Sequence, residues 1–120
     1  MLLRTKDKER LFEIFSSIEI PIEVWAYGSR VNGEAHDGSD LDLVIRGKEL
    51  KRIPSEIFSD LKYKIQESNI PILVDMFDWT LLPESFRANI QLHHEVLFNN
   101  LQGLNEPDEK YGNDKENEIS

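Results

Sequence analysis

Residues 25–45 carry the most informative pattern of the chain and read WAYGSRVNGEAHDGSDLDLVI. They predict, in order, a strand, a tight turn, a short helix, a loop and a second strand. The first strand is apolar and ends at Gly28-Ser29, where glycine lets the backbone approach a ligand and serine is a natural helix N-cap. Exposed N–H groups and the positive end of the peptide dipoles attract anions at such a helix start. The turn therefore predicts a position for the phosphates of a nucleotide.

The second strand carries two acids, Asp40 and Asp42, separated by one residue. Side chains two apart on a strand leave the same face of a sheet, so both carboxylates point one way. Mg²⁺ takes a few carboxylate oxygens together with waters and substrate phosphates, and two-metal polymerase sites share such carboxylates. The pair therefore predicts a magnesium site beside the phosphate turn, which suggests nucleotidyl transfer. Taken singly, the turn is explained by an ordinary helix cap and the acids by a solvated strand edge.

A third predicted strand, Ile72 to Asp78, offers two more acids on opposite faces. Asp75 lies in the middle of the apolar run, where a charge is costly unless a metal or a partner compensates it. Asp78 lies at the strand end, where a turn or capping role is ordinary. Asp75 is therefore the predicted third acid of the site.

Gly28-Ser29, the ten residues that follow and Asp40-Leu41-Asp42 reproduce the pattern of the DNA polymerase beta-like nucleotidyltransferase superfamily. The chain resembles the minimal nucleotidyltransferases (MNT) of that superfamily. The resemblance implies an α/β fold, with a small mixed sheet of three to four strands flanked by helices. It also implies that Gly28 and Ser29 hold the β and γ phosphates of ATP, while Asp40, Asp42 and Asp75 are catalytic and bind Mg²⁺.

Minimal nucleotidyltransferases pair with HEPN-domain proteins as toxin and antitoxin. The resemblance thus implies a protein adenylyltransferase that transfers AMP to a tyrosine hydroxyl of a HEPN-family ribonuclease toxin, in a hetero-oligomer, and so acts as its antitoxin. Two alternatives stay open. One is a noncatalytic nucleotide-binding partner that neutralises the toxin by complex formation. The other is nucleotidyl transfer to a small hydroxylated molecule.

Several polar residues near the motif have two interpretations each. Arg30 and Ser39 are placed either to contact phosphate or to serve the surface and the local cap. His36 and Asp37 lie in the predicted loop, and a histidine without a second one at ligand spacing is expected to be merely polar. The pair His93-His94 cannot grip one metal from a helix, because sequential side chains diverge; a favourable charge at a helix end explains it better.

The length and charge of the chain limit the number of domains and the classes of partner that are expected. Its 120 residues predict one domain, residues 1–104, followed by an acidic tail, residues 105–120, that is expected to be disordered. The net charge of −9 argues against nucleic acid as a partner, since phosphate backbones are bound by basic clusters. The chain has no cysteine, and it shows neither a signal peptide nor a membrane-spanning run. A cytoplasmic location without membrane contact is expected.

The remaining apolar periodicity predicts three longer helices, sets the bounds of the first strand and predicts one further strand. The helices are expected at Lys6 to Ser17, from Pro54 to Ser68, and from Leu82-Pro83-Glu84 onward. The first strand is expected at Glu23 to Tyr27 and a short final strand at Glu95 to Phe98.

Overall fold

The structure is a computed structural model that describes residues 1–34 and 38–101. In this part of the chain the helices are α1 (Thr5–Ser16), α2 (Ser29–Asn32), α3 (Ser55–Gln66) and α4 (Glu84–Leu92), and the strands are β1 (Ile22–Tyr27), β2 (Leu41–Gly47), β3 (Val74–Asp78) and β4 (His94–Asn99). Short 3-10 turns follow β2 and β3, at Lys48–Leu50 and Trp79–Leu81. The predicted tail, the predicted domain end at 104, His36 and Asp37 lie outside the described residues.

The four strands form one mixed sheet in the order β3-β2-β1-β4. β1 is antiparallel to both β2 and β4, whereas β2 and β3 run parallel. A parallel pair cannot be joined by a tight hairpin, and α3 supplies the crossover between β2 and β3. The predicted small mixed sheet flanked by helices is confirmed.

One face of the sheet is covered by α1 and α3. Alternation along β2 sends Leu41, Leu43 and Ile45 to this face, and all three are fully buried. They pack with apolar residues of both helices, of the other strands and of the loop before α3: Leu11, Ile14, Phe15, Ile22, Val24, Ala26, Ile53, Leu61, Ile65, Met76 and Phe98. This core packs the helices against one face of the sheet, so the opposite face is not covered by α1 and α3.

The opposite face is only partly covered, by α4 and the turn after β3. Its apolar cluster consists of Trp25, Tyr27, Val44, Trp79 and Ile90. The guanidinium of Arg46 lies 4.0 Å from the centre of the Trp25 ring, where cation and aromatic face attract each other. We call this side of the sheet the open face, because the polar residues of the motif emerge on it.

The two longest helices described, α1 and α3, have 12 residues each. Within residues 1–34 and 38–101, none of the helices combines the length and apolar character needed to span a bilayer.

Candidate active site

Tyr27, Asp42 and Asp75 form one row across three strands. Asp42 of β2 is the register partner of Tyr27 on β1 and of Asp75 on β3. Directly opposed residues on neighbouring strands project from the same face, so the three side chains stand side by side on the open face. The structure thus brings together two of the three predicted acids.

Gly28 fits tightly against this row. Its φ is +82°, and a Cβ added there would lie 2.6 Å from Oδ2 of Asp42. A side chain at this position would have to displace the Asp42 carboxylate and adopt a strained backbone. The close contact seen at this glycine is with the Asp42 carboxylate, and the predicted approach of a ligand to its backbone stays a prediction.

The turn differs in one detail from the sequence prediction. Gly28, not Ser29, is the N-cap of α2, and Ser29 is its first helical residue. The amides of Val31 and Asn32 donate to the Gly28 carbonyl at 3.0 Å each. Because the glycine itself makes the turn with its positive φ, the helix starts one residue earlier than a serine cap would allow.

Burial and neighbouring negative charges raise the pKa values of two residues in the row. Burial raises the pKa of Asp42, and the neighbouring charges of Asp75 and Asp40 raise it further. Burial, followed by the charges of Asp42 and Asp75, raises the pKa of Tyr27 to about 12. The charges of Asp75 and Asp40 therefore disfavour the ionisation of Asp42, and a bound cation would offset that repulsion.

Asp40 stands just outside the row. β2 begins at Leu41, so Asp40 precedes the strand and is exposed. In the described part of the chain, no group of three or more His, Asp or Glu side chains is placed to hold a metal ion. The donor chemistry of the three acids nevertheless suits Mg²⁺, which prefers carboxylate oxygens, and a divalent cation would offset the charges that raise the pKa of Asp42.

Arg30 hydrogen-bonds to the backbone just before Asp40. It is buried, with 5% of its surface exposed, so the surface interpretation is wrong. Its Nε donates to the carbonyl of Ser39 at 2.9 Å, and its Nη1 donates to the carbonyl of Leu2. Since Ser39 directly precedes Asp40, the guanidinium holds the backbone at the entrance to β2.

A cleft of about 400 Å³ opens beside the row. One wall is formed by the motif residues Tyr27, Gly28, Asn32 and Asp42, and the other by Phe86, Asn89, Ile90 and His93 of α4 and its end. None of the predicted site residues lies on α4. The spacing of residues 86, 89, 90 and 93 is that of one helix face, and this spacing could have indicated from the sequence that they line one surface.

Asp78 has the structural role that its position at the strand end predicted. It is 5% exposed and accepts three hydrogen bonds, from the amides of Ile53 and Thr80 at 2.9 Å each and from the Thr80 hydroxyl at 2.7 Å. Ile45, its register partner on β2, faces the helix-covered core. Asp78 therefore lies on the side of the sheet opposite to Asp75.

The placement of both His93 and His94 on a helix is wrong. α4 ends at Leu92, and His94 opens β4. Both histidines do lie at the helix end: His93 is the C-cap of α4, and Nδ1 of His94 lies 3.0 Å from the Ile90 carbonyl oxygen. A favourable charge there stays a prediction. Its ring also stacks on Trp25, with the centroids 3.7 Å apart.

The chain is similar in sequence to known nucleotidyltransferases. The family model described as "Polymerase beta, Nucleotidyltransferase" matches residues 9–102. The chain is 41% identical over 76 residues to the probable protein adenylyltransferase MntA of Haemophilus influenzae, a match that covers 62% of this chain and 63% of that protein. The match therefore spans less than two thirds of the length of this relative.

A solved structure shares the fold. It is described as the crystal structure of a toxin-antitoxin with AMP-PNP, and one of its chains superposes with a TM-score of 0.61 at 16% identity, covering 78% of this chain and 73% of that one. At this identity the likeness concerns the fold alone.

Proposed function

Because the chain belongs to the polymerase beta nucleotidyltransferase family, we propose that it is a Mg²⁺-dependent protein adenylyltransferase. It transfers AMP from ATP to a hydroxyl of a partner protein. The observation that carries this proposal is the position of Asp42. It is the register partner of Asp75, its carboxylate lies close to Gly28, and it lines a cleft of about 400 Å³. Such a cleft has the size of a small-ligand site.

Each motif residue has a distinct task in the proposed reaction. Gly28 and Ser29 hold the β and γ phosphates, and Asp40 and Asp42 provide oxygens for Mg²⁺, with Asp75 completing the set. The cation supplies charge neutralisation for the triphosphate. Asp75 accepts the proton of the incoming hydroxyl, whose oxygen forms a bond to the α phosphorus as the bond to the β-phosphate oxygen breaks and pyrophosphate leaves. Positioning and charge neutralisation provide most of the rate.

The surroundings of Asp75 support a polypeptide as the acceptor. β3 is an edge strand, and Asp75 stands between Leu73 and Phe77, both exposed. Exposed apolar side chains on either side of an acid suit a protein surface better than a small polar substrate. We therefore favour a tyrosine hydroxyl of a HEPN-family ribonuclease toxin, for which this chain is the antitoxin. The name of the Haemophilus influenzae relative supports a protein acceptor, and the toxin-antitoxin description of the solved structure supports a toxin as the partner.

The test is to incubate the purified chain with Mg²⁺, α-labelled ATP and the product of the neighbouring gene, and then to record the intact mass of both proteins. A gain of one or more AMP units on the neighbour is expected, with none in Asp42→Asn. Asp60→Asn is the matched control, since it removes the same charge from the outer surface of α3. A stable complex without any AMP transfer would replace this proposal with a noncatalytic antitoxin. Transfer to a small hydroxylated compound, and not to the protein, would overturn the assigned acceptor.

A further inference from the structure

The two walls of the cleft differ in chemistry. The motif wall, with Gly28 and Asp42, carries the turn and the acid assigned to phosphate and metal. The α4 wall carries an aromatic ring, an amide and an imidazole, from Phe86, Asn89 and His93, over the buried Ile90. A nucleotide has the same division, since its triphosphate is anionic and its base is flat, largely apolar on its faces and polar at its edges.

Phe86 is an exposed aromatic side chain in a fixed position. It is 44% exposed, and its ring meets that of Tyr27 edge-on, with centroids 6.0 Å apart and planes at 90°. Tyr27 is itself held in the row with Asp42. The contact orients the phenyl ring beside the acids while much of its surface stays open, and an oriented ring is a platform on which a base can stack.

Asn89 lies three residues after Phe86, on the same face of α4. Among residues 1–34 and 38–101, no group hydrogen-bonds to the side chains of Asn89 or His93, so neither is used to hold the fold. A carboxamide presents a donor and an acceptor side by side, and this is the pattern that pairs with the N6 and N7 edge of adenine.

We propose that the α4 wall is the nucleoside subsite, in which Phe86 stacks on the base and Asn89 reads its edge, with a preference for adenine. The inference rests on the proposed function, because it takes Gly28 and Asp42 as the phosphate and metal end of the same cleft. It assigns the choice of nucleotide to a helix outside the sequence motif.

The test compares two ligands that share the phosphate part only. Binding of AMP-PNP and of inorganic tripolyphosphate, both with Mg²⁺, is measured by calorimetry for the wild type and for Phe86→Ala, Phe86→Tyr and Asn89→Ala. Phe86→Ala should weaken AMP-PNP about ten-fold or more and leave tripolyphosphate unchanged, because only the base loses its stacking partner. Phe86→Tyr should restore most of the affinity. Asn89→Ala should reduce the preference for AMP-PNP over GMP-PNP.

Leu92→Ala is the matched control, since Leu92 lies on α4, is 75% exposed and does not line the cleft. Equal weakening of both ligands by Phe86→Ala would mean that the ring only supports Tyr27, and no weakening of either would mean that the base binds elsewhere; each result refutes the subsite. If the wild type binds tripolyphosphate with the same affinity as AMP-PNP, the nucleoside subsite is refuted, but the proposed transferase activity is not. A wild type that binds neither ligand overturns both proposals.

Discussion

Asp75 and Asp78 lie three residues apart on β3 and face opposite sides of the sheet. Asp78 is buried on the side of α1 and α3, and hydrogen bonds from Ile53 and Thr80 satisfy its carboxylate. Asp75 is half-buried on the open face, where its register partner is another acid, Asp42. The carboxylate of Asp78 therefore has its hydrogen-bond donors within the protein, whereas that of Asp75 faces a second carboxylate.

The difference separates acids that stabilise the fold from acids that prepare a site. A buried carboxylate that accepts several hydrogen bonds contributes to stability, and its oxygens have little capacity left for a ligand. Within the described residues no such donor reaches Asp42, and the charges of Asp75 and Asp40 raise its pKa, so a bound cation would stabilise its ionised form. Substitutions on the two faces should therefore have opposite consequences for activity and stability.

The largest effect is expected from Asp42→Asn on the open face. AMP transfer should fall on the order of 100-fold or more, because the site loses a carboxylate aimed at the reacting phosphates. The free energy of unfolding should stay level or rise, since the charge removed repels Asp75 and Asp40. Labelled-ATP assays and urea unfolding measure the two effects. A marked loss of stability would show that Asp42 supports the fold as Asp78 does.

Asp78→Ala on the covered face should do the reverse. The amides of Ile53 and Thr80 and the Thr80 hydroxyl would lose their acceptor inside the protein. The free energy of unfolding should fall by about 3 kcal/mol, the range for breaking a buried charged hydrogen-bond network. Folded protein, assayed at low temperature, should still transfer AMP. The assignment fails if transfer is lost while the urea midpoint is unchanged.

Gly28→Ala tests the contact that joins the turn to the open face. The new Cβ would strain the positive φ and press against Oδ2 of Asp42, so stability should fall by about 1–2 kcal/mol and transfer should drop as the carboxylate shifts. Gly33→Ala is the matched control: its φ is +89°, and a Cβ there meets nothing within 4 Å. Equal losses in both variants, measured by thermal unfolding and labelled-ATP assay, would leave the strained φ as the whole cause.

The smallest effect is expected at Asp7, a second buried acid that is satisfied within the fold. Arg4 hydrogen-bonds to its carboxylate at 2.9 Å and lowers the pKa of Asp7. A lowered pKa stabilises the folded state above the unfolded value of about 4, and this contribution is lost as the pH falls through the folded value. Asp7→Asn should therefore unfold slightly earlier than the wild type at pH 7, by less than Gly28→Ala does.

That difference should narrow as the pH falls below about 4, where the carboxyl of the unfolded wild type becomes protonated, and should close at the lowered pKa of the folded state. Thermal unfolding of both proteins between pH 3 and 7 measures it. A gap that stays constant over this range would mean that Asp7 acts through packing and not through its charge.

The sequence was sufficient for features that depend on neighbouring residues. Alternation along β3 separated Asp75 from Asp78, and the end position of Asp78 predicted its capping role. The apolar runs located the strands, and Gly28 marked the turn, because a positive φ and a close approach both select glycine. The joint action of Asp40, Asp42 and Asp75 on one cation stays a prediction.

Features that depend on contacts between distant segments came from the three-dimensional arrangement. Strand pairing sets Asp42 opposite both Tyr27 and Asp75, and burial turns Arg30 toward the carbonyls of Leu2 and Ser39. The docking of α4 made Phe86 and Asn89 part of the cleft. Local patterns fix which face of an element a side chain occupies, because backbone geometry repeats every two or 3.6 residues. They do not fix which faces meet, since strand register and helix docking are chosen by the packing of the whole core.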